Sequence, residues 1–360
     1  MRKKLTILIF ARLSDQKLKS KLAPIARLNE VEKIILIRKA AFDQPKVRTY
    51  CPPNWLNRSH VLSECYRFFA GLYVCLFRHV DAIMGIYILW HGVLAAWVGK
   101  ICRKPVIQNI IGDEHLLMQQ HCWIEKIILS ASIVITRGNV TKQQLIDRGM
   151  SAERIFPIPN VFEFTKVSIP LNVQKEFDLI YIGVLSQLKR PDILLNAVHH
   201  VKTNYQTIVS LAIIGDGERE AECKSLTEKL GLQRQVRFFG HQSDIYPFLH
   251  RSRIFIMTSD HEGFPMVMIE AMACGLPCIM PDVSNIPEVA RHNENALLAP
   301  VGDVETFAKH IHALVTDNEL YRRLSAGAYK IRQEKSVEYS LSAISEKWEM
   351  AFRQLGISIK

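Results

Sequence analysis

Residues 260–275 read DHEGFPMVMIEAMACG and combine two glutamates with an apolar run that carries no other charge. Pro265 suits the first position of a helix, because its missing N–H would have no partner there. The residues that follow are mostly strong helix formers, and Gly275 with Pro277 just beyond it is a stop signal. We therefore predict a short apolar helix that begins near Pro265.

Glu262 then lies in the loop before this helix, and Glu270 lies on the helix itself. The first turn of a helix has free N–H groups and the positive end of its dipole, which together favour a bound phosphate. A nucleoside diphosphate at that turn would bring its ribose to Glu270 and an attached sugar to Glu262. The structural alternative is that Glu262 complements the helix dipole and Glu270 is a satisfied polar group on a buried helix. This stretch alone leaves both interpretations open.

The whole chain alternates between short strands and helices. A length of 360 residues exceeds what one core usually supports, so we predict two domains. Short runs rich in β-branched residues predict parallel sheets with helices on both faces. They lie at 5–10, 33–37, 82–86, 106–111 and 133–136, and again at 179–182, 209–214, 236–239, 254–257 and 278–280. Residues 155–170 contain three prolines and are predicted to link the two domains.

Two doubly wound domains that face each other across a cleft would bind a ligand at the carboxyl ends of their strands. In the second half, Gly183 follows a predicted strand and Lys189 precedes a predicted helix, so both would face that cleft. Gly215 and Gly217 form another turn, but Glu220 occupies the place of the third glycine of a dinucleotide fingerprint. The pattern therefore argues against a nicotinamide cofactor.

The formal net charge is +11, and the excess is confined to the first half of the chain. Residues 1–165 hold 24 Lys and Arg against 12 Asp and Glu, and the remaining residues hold 22 against 23. A basic surface suits an anionic lipid, an acidic glycan or nucleic acid. Because no nucleic-acid-binding motif accompanies the charge, we expect lipid or glycan. Residues 65–77 (CYRFFAGLYVCLF) fit either a membrane interface or an ordinary buried helix.

The cysteines and the N-terminal stretch indicate the compartment. Eight cysteines are scattered without a paired framework or zinc-like spacing, as is typical of reduced cytosolic thiols. The first apolar run is short and ends at Arg12 without a small-residue cleavage site, so we interpret it as a buried strand rather than a signal peptide.

Residues 182–198 (IGVLSQLKRPDILLNAV) and the run from 236 to 303 that contains the opening stretch together resemble a known family. They are similar to the retaining GT-B glycosyltransferases of glycosyltransferase family 4, the group 1 transferases of bacterial surface polysaccharides. The resemblance is strong over residues 155–335. It implies an α/β GT-B fold with two Rossmann-like domains, an acceptor domain at 1–165 and a donor-nucleotide domain at 166–340, with a C-terminal helix at 341–360 that returns toward the first.

The resemblance also implies roles for individual residues. Glu262 would hold hydroxyls of the donor sugar, Glu270 would hold the ribose, and Lys189 would neutralise the leaving phosphate. Gly183 and Arg190 would complete the donor loop. Backbone N–H groups at the start of the helix would meet the sugar and the diphosphate. The donor-binding residues there are Gly263, Phe264, Pro265, Met266 and Val267, of which all but Pro265 carry an N–H. No D-x-D motif is present, so the sugar nucleotide would bind as co-substrate with neither cofactor nor metal.

This sequence departs from the family pattern at three places. Val184 stands where relatives usually have a phosphate-binding arginine, and residues 12–15 (RLSD) replace a glycine-rich loop, which makes Ser14 and Asp15 acceptor-binding candidates. Residues 112–115 (GDEH) follow a strand where many relatives have a histidine. Asp113 is accordingly a catalytic candidate, and His115 is a third acceptor-binding candidate.

We therefore expect a retaining hexosyltransferase that moves a sugar from a nucleoside diphosphate to a lipid-linked, lipopolysaccharide or capsular glycan. The expected location is the cytoplasm, peripheral on the inner face of the cytoplasmic membrane, with an anionic membrane surface as a partner and no nucleic acid. Two alternatives stay open. One is a GT-B sugar-nucleotide epimerase, which needs no acceptor, and the other is a non-catalytic protein that binds a nucleotide or glycan.

Overall fold

The computed structural model describes residues 4–112, 118, 121–168, 170 and 173–356. These residues fall into two compact units, one within Met1–Phe162 and Glu338–Lys360 and the other within Glu163–Val337. We call them unit 1 and unit 2. Both are α/β, and each contains one parallel sheet.

Unit 1 has a seven-stranded sheet in the order β3-β2-β1-β4-β5-β6-β7. Its strands are β1 Leu5–Phe10, β2 Val31–Ile37, β3 Val47–Tyr50, β4 Ala82–Ile86, β5 Val106–Asn109, β6 Ile133–Thr136 and β7 Ile155–Pro157. Every residue of β1 is buried, as is usual for a parallel strand that is covered on both faces.

The helices of unit 1 cover both faces of this sheet. They are α1 Asp15–Ala26, α2 His60–Phe77, α3 Val93–Cys102, α4 Cys122–Ser130, α5 Asn139–Asp147 and, near the C-terminus, α13 Leu341–Gln354. Alternate β1 side chains point to opposite faces. Ile7 and Ile9 pack in a core with α1 and α13, whereas Leu8 and Phe10 pack in a core with α2 and α3. On α13, the residues that join the first core are Ile344, Trp348, Ala351 and Phe352.

Unit 2 has a six-stranded sheet in the order β10-β9-β8-β11-β12-β13. The strands are β8 Phe177–Ile182, β9 Leu211–Ile214, β10 Val236–Phe238, β11 Ser252–Ile256, β12 Cys278–Pro281 and β13 Ala296–Ala299. The helices are α6 Pro191–Asn204, α7 Glu220–Lys229, α8 Tyr246–His250, α9 Met266–Ala273, α10 Val304–Thr316, α11 Asn318–Tyr329 and α12 Ile331–Glu334.

Short 3₁₀ helices occur in both units. They lie at Leu56–Arg58 and Ala152–Arg154 in unit 1, and at Phe164–Lys166, Gln187–Lys189 and Ile286–Glu288 in unit 2.

Both sheets are doubly wound, so the prediction of two doubly wound α/β units is confirmed. In each, strand order reverses beside the first strand, at β1–β4 in unit 1 and at β8–β11 in unit 2. Such a switch point opens a crevice at the carboxyl ends of the two strands. In unit 2 the loops that leave β8 and β11 therefore lie side by side.

The structure shortens the predicted linker and confirms the strand predicted at 82–86. Residues 155–157 were predicted to lie in a linker, but they form β7, which pairs with β6. Residues 82–99 divide into β4, an irregular π-type turn at Ile88–Gly92, and α3. Residues 65–77 all lie on α2. None of the helices in the described ranges has the length and hydropathy needed to cross a bilayer.

Candidate functional site

The loops that follow β8 and β11 are fastened to each other by hydrogen bonds. The Asp260 amide donates to the Leu188 carbonyl at 2.9 Å, and the Thr258 hydroxyl donates to the Arg190 carbonyl at 2.8 Å. Thr258 is fully buried. Predicted site residues from both loops are therefore held close together at the switch point.

A third loop, after β9, packs tightly against the first. Gly215 has φ +129°, and a Cβ atom on it would lie 2.0 Å from the Gly183 carbonyl oxygen. The conformation and the close approach both require glycine. Predicted donor residue Gly183 is thus held by its neighbour, and its own amide donates to the Ile214 carbonyl.

Lys189 and Glu262 form an ion pair at this point. Lys189 Nζ lies 2.5 Å from Glu262 Oε1, and Ser259 Oγ donates to the same oxygen at 2.7 Å. Glu262 is only 6% exposed, so its charge is compensated by the lysine and the hydroxyl instead of by bulk water. The structure brings these two predicted catalytic residues into direct contact.

Arg190 lies next to this pair but is engaged elsewhere. Its backbone is left-handed, with φ +48°. Its guanidinium donates to both Asp192 and Asp260, and Arg219 donates to Asp192 from the other side. These contacts raise the pKa of Arg190, chiefly through the hydrogen bond to Asp192. A phosphate would have to compete with two carboxylates for this predicted donor-binding residue.

The helix predicted from the opening stretch is α9, and Pro265 is its N-cap. Pro265 offers no side chain to cap the first turn, so no capping side chain competes with a ligand for those amides. The preceding loop is fixed by Asn285, whose side-chain amide donates to the Gly263 carbonyl at 2.7 Å. His261 is buried in the same loop and hydrogen-bonds with the Ser284 hydroxyl.

Glu270 is mostly buried on α9 and has no hydrogen-bond or ion-pair partner in the described part of the chain. Burial raises its pKa to about 7. The same carboxylate contributes, after burial, to a raised pKa of the neighbouring Tyr246 phenol. A carboxylate that is buried without compensation is typical of a binding or catalytic site, because a purely structural one would usually be paired.

The predicted residues of unit 1 are less well connected. Ser14 is the N-cap of α1 without a capping hydrogen bond, and Asp15 pairs with Arg38 at 2.6 Å. The catalytic candidate Asp113 and the acceptor candidate His115 lie outside the described residues.

Sequence reasoning overlooked two buried polar residues of unit 1. Arg67 on α2 is fully buried and pairs with Glu64 at 2.8 Å. His91 is 7% exposed, and neither ring nitrogen has a hydrogen-bond partner among the residues described. Burial, aided by the charges of Arg67 and Arg12, lowers the pKa of His91 to about 3. In the sequence, the indication for His91 was a polar residue inside an otherwise apolar run between a strand and a helix.

The remaining overlooked residues in unit 2 support the ones that were predicted. Ser259 and Asn285 hold Glu262 and Gly263, and the Tyr181 hydroxyl donates to the Val184 carbonyl. None belongs to a recognisable motif, since their roles depend on the folded arrangement. In the described ranges, no group of three or more His, Cys, Asp or Glu side chains is arranged to hold a metal ion.

Comparison with known proteins shows which family part of the chain resembles. The family described as glycosyl transferases group 1 matches residues 164–331. N-acetyl-alpha-D-glucosaminyl L-malate synthase of Bacillus anthracis is 32% identical over 155 residues, which is 43% of this chain and 40% of that protein. Lipopolysaccharide 1,6-galactosyltransferase of Salmonella typhimurium is 28% identical over 189 residues, or 50% of this chain and 52% of that one. The chain thus spans about half or less of the length of these relatives.

Solved structures extend the likeness to nearly all of the chain. Anabaena HepE in complex with UDP and glucose has a TM-score of 0.76 at 19% identity, over 97% of this chain and 99% of that one. The lipopolysaccharide outer core galactosyltransferase WaaB has a TM-score of 0.70 at 18% identity, with the same two coverages. At such identities the likeness establishes the fold. Residues 164–331 therefore match the group 1 glycosyltransferase family, in a chain that has the GT-B fold.

Proposed function

We propose that this protein is a retaining glycosyltransferase of the family 4 type that moves a hexosyl group from a nucleoside diphosphate to a glycan or glycolipid acceptor. The observation that carries the proposal is the group at the switch point of unit 2. There the ion pair of Lys189 and Glu262 lies beside an uncapped helix start. Glu270 on that helix is partly exposed and has no hydrogen-bond or ion-pair partner in the described part of the chain.

Each part of the group matches one part of a sugar nucleotide. The amides at the start of α9 would donate to the diphosphate, and the carboxylate of Glu270 would accept from the ribose hydroxyls. Glu262 would accept from hydroxyls of the transferred sugar. As the bond between the anomeric carbon and the phosphate oxygen breaks, Lys189 would stabilise the charge that grows on the diphosphate.

This arrangement supplies positive charge from a lysine and a helix start, so we propose that transfer needs no metal ion. The proton of the acceptor hydroxyl leaves as the new glycosidic bond forms, and the departing diphosphate can take it up. Arg190 is a weaker candidate for the phosphate than Lys189, because Asp192 and Asp260 already neutralise it.

The acceptor class is suggested by relatives. The Salmonella relative is named for lipopolysaccharide, and a lipopolysaccharide core glycosyltransferase of Rhizobium meliloti is 38% identical over 117 residues. We propose a lipopolysaccharide, capsular or lipid-linked glycan as acceptor, reached by the basic first half of the chain at the cytoplasmic face of the membrane. UDP-sugars are the first donors to test, because the similar HepE structure contains UDP.

The experiment is a binding panel followed by a turnover assay. UDP, GDP and ADP and their hexose conjugates are screened by thermal shift, since a ligand that binds the native state raises its melting temperature. The nucleotide that binds is then supplied as its sugar conjugate, and release of the nucleoside diphosphate is measured with and without EDTA.

Glu262→Gln is compared with Glu228→Gln, a matched change on the exposed face of α7. We expect Glu262→Gln to abolish turnover while nucleotide binding remains, and Glu228→Gln to behave as wild type. Binding without any release of nucleoside diphosphate would favour a non-catalytic binding protein. Interconversion of free sugar nucleotides without an acceptor would instead favour an epimerase.

A further inference from the structure

A cavity of about 500 Å³ lies in unit 1 between α3, the start of β5 and the last part of α4. It opens where strands begin, since Val106 is the first residue of β5 and Ser132 immediately precedes β6. The switch point of the same sheet is at the carboxyl ends of its strands. The cavity is therefore separate from the acceptor candidates Ser14 and Asp15, which follow β1.

Three lysines line this cavity: Lys100 on α3, Lys104 before β5, and Lys126 on α4. None of their ammonium groups has an ion-pair or hydrogen-bond partner within the described ranges. The acid nearest in sequence, Glu125, pairs with Arg148 at 2.7 Å. Three like charges around one cavity repel each other, and an anion that binds between them relieves that repulsion.

The rim of the cavity is apolar and exposed. Trp97, one turn before Ile101 on α3, lines the cavity, and these side chains are 56% and 57% exposed. The Phe68 ring lies edge-on to Trp97 at 6.3 Å and to Phe69 at 5.5 Å, so the apolar surface continues onto α2.

Helix α2 extends this surface as a stripe. Its exposed members recur at spacings of four, three and one residues, which place them on one side of the helix. They are Phe69, Tyr73, Leu76 and Phe77. In general, a contiguous patch of exposed aromatic and aliphatic side chains on a protein surface marks an interaction site.

We propose that the three-lysine cavity binds the phosphodiester headgroup of an anionic membrane lipid, whose acyl chains lie along Trp97 and the α2 stripe. Charge complementarity selects an anion, and the adjoining apolar surface selects an amphiphile over a free phosphate. Interfacial proteins combine apolar side chains with lysines in this way. This inference rests on the proposed function in one respect, because it assigns the membrane contact proposed there to specific residues.

The test is sedimentation of the full chain with vesicles of phosphatidylglycerol, with phosphatidylcholine vesicles as the uncharged comparison. The variant Lys100→Gln/Lys104→Gln/Lys126→Gln removes the cavity charges. Its matched control is Lys17→Gln/Lys19→Gln/Arg27→Gln, which removes the same charge from α1 and its C-cap, on the opposite face of the sheet.

We expect the cavity variant to bind phosphatidylglycerol vesicles roughly 100-fold more weakly, given the contribution typical of each lysine near an anionic surface. The control should lose less than about fivefold, because its charges lie on the far face and are screened by salt. Equal losses in both variants would show that binding follows net charge alone and would overturn the inference. Unchanged binding of the cavity variant, or no binding of the wild type, would overturn it as well.

Two additional measurements distinguish a membrane lipid from a free phosphate. Leu76→Ser with Phe77→Ser, both exposed on α2, should also weaken vesicle binding, because the acyl contact is lost. Soluble glycerol 3-phosphate should not raise the melting temperature. A lysine-dependent shift with it, in the absence of vesicle binding, would identify a free-phosphate site and overturn the lipid proposal.

Nucleotide binding is measured on the same samples by thermal shift. Vesicle binding that depends on the cavity lysines, without any nucleotide shift, would leave this inference standing and refute the proposed donor site. The reverse result would refute only this inference.

Discussion

Glu270→Gln tests whether the mostly buried carboxylate of α9 is kept for a ligand at the expense of stability. Glutamine has nearly the shape of the protonated acid and carries no charge. In the unliganded protein, Glu270 has no partner within the described ranges, and burial raises its pKa from its ordinary value of 4.5 to about 7. Replacing it should therefore stabilise the free protein and weaken its binding of a nucleotide.

The sign of the effect depends on pH. Because the folded-state pKa lies above the unfolded one, the folded protein holds a proton between pH 4.5 and about 7 that the unfolded chain has released. The wild type therefore loses free energy of unfolding as pH rises through this window, which is opposite to the usual carboxylate. Below the window, wild type and variant should be equally stable.

A shift of one pKa unit corresponds to about 1.4 kcal/mol of free energy of unfolding. The full shift of Glu270 therefore lowers the stability of the wild type by about 3 kcal/mol above pH 7. Partial exposure of the side chain makes this an upper value. For units of this size, it corresponds to a melting temperature roughly 5–10 °C higher for the variant at pH 8.

The assay is thermal unfolding of wild type, Glu270→Gln and the surface control Glu228→Gln at pH 5 and pH 8, each with and without the nucleotide that binds. We expect Glu270→Gln to gain stability at pH 8 only, and to lose about tenfold or more in nucleotide affinity, as is typical when a charge-assisted hydrogen bond is removed. Destabilisation at pH 8, or a gain that does not depend on pH, would show that the carboxylate is already compensated in the free protein and would refute the reasoning.

Further predictions address the catalytic pair, the loop packing and the thiols. Lys189→Ala should lower kcat by roughly 100-fold or more, with a much smaller change in nucleotide affinity, because we propose that its charge acts on the leaving diphosphate; equal losses in both would contradict this role. Gly215→Ala should destabilise unit 2 by about 3 kcal/mol or more in denaturant unfolding, because its φ of +129° and the 2.0 Å approach exclude a methyl group. Cys278→Ala should leave steady-state turnover unchanged, since this fully buried thiol, whose pKa burial raises, lies within β12 and is not one of the proposed site residues. EDTA should leave turnover unchanged, and recovery by added Mg²⁺ after its loss would refute a metal-independent site.

The central strands could be predicted because their sequences are nearly continuous apolar runs, as parallel strands covered on both faces require. The strands that were missed, β3, β7 and β13, all lie at sheet edges. Edge strands are short and partly exposed, so their patterns are weaker. β7 also includes Pro157, which is tolerated at an edge because only one side of the strand needs hydrogen bonds.

The candidate site could be predicted where its residues lie close together in the sequence. Glu262, the helix start and Glu270 lie within nine residues, so the local pattern identified them together. Glu262, which pairs with Lys189, and Asp260, one of the two partners of Arg190, lie about 70 residues away along the chain. These contacts depend on the neighbouring positions of β8 and β11. The pattern of the sequence does not predict which carboxylate will form an ion pair with which cation.

These tertiary contacts bear on Val184, where the sequence differs from the family pattern. An exposed valine stands where the family resemblance predicts an arginine, and Arg190 is held by two carboxylates. Lys189 has only Glu262 as its carboxylate partner in the described ranges, and Glu262 is the residue expected to turn to the donor sugar. Binding of the sugar would then release the lysine toward the diphosphate, so the two contacts are coupled. A complete sugar nucleotide should therefore bind more tightly than the free nucleoside diphosphate, and Glu262→Gln should remove that difference by leaving Lys189 free from the start.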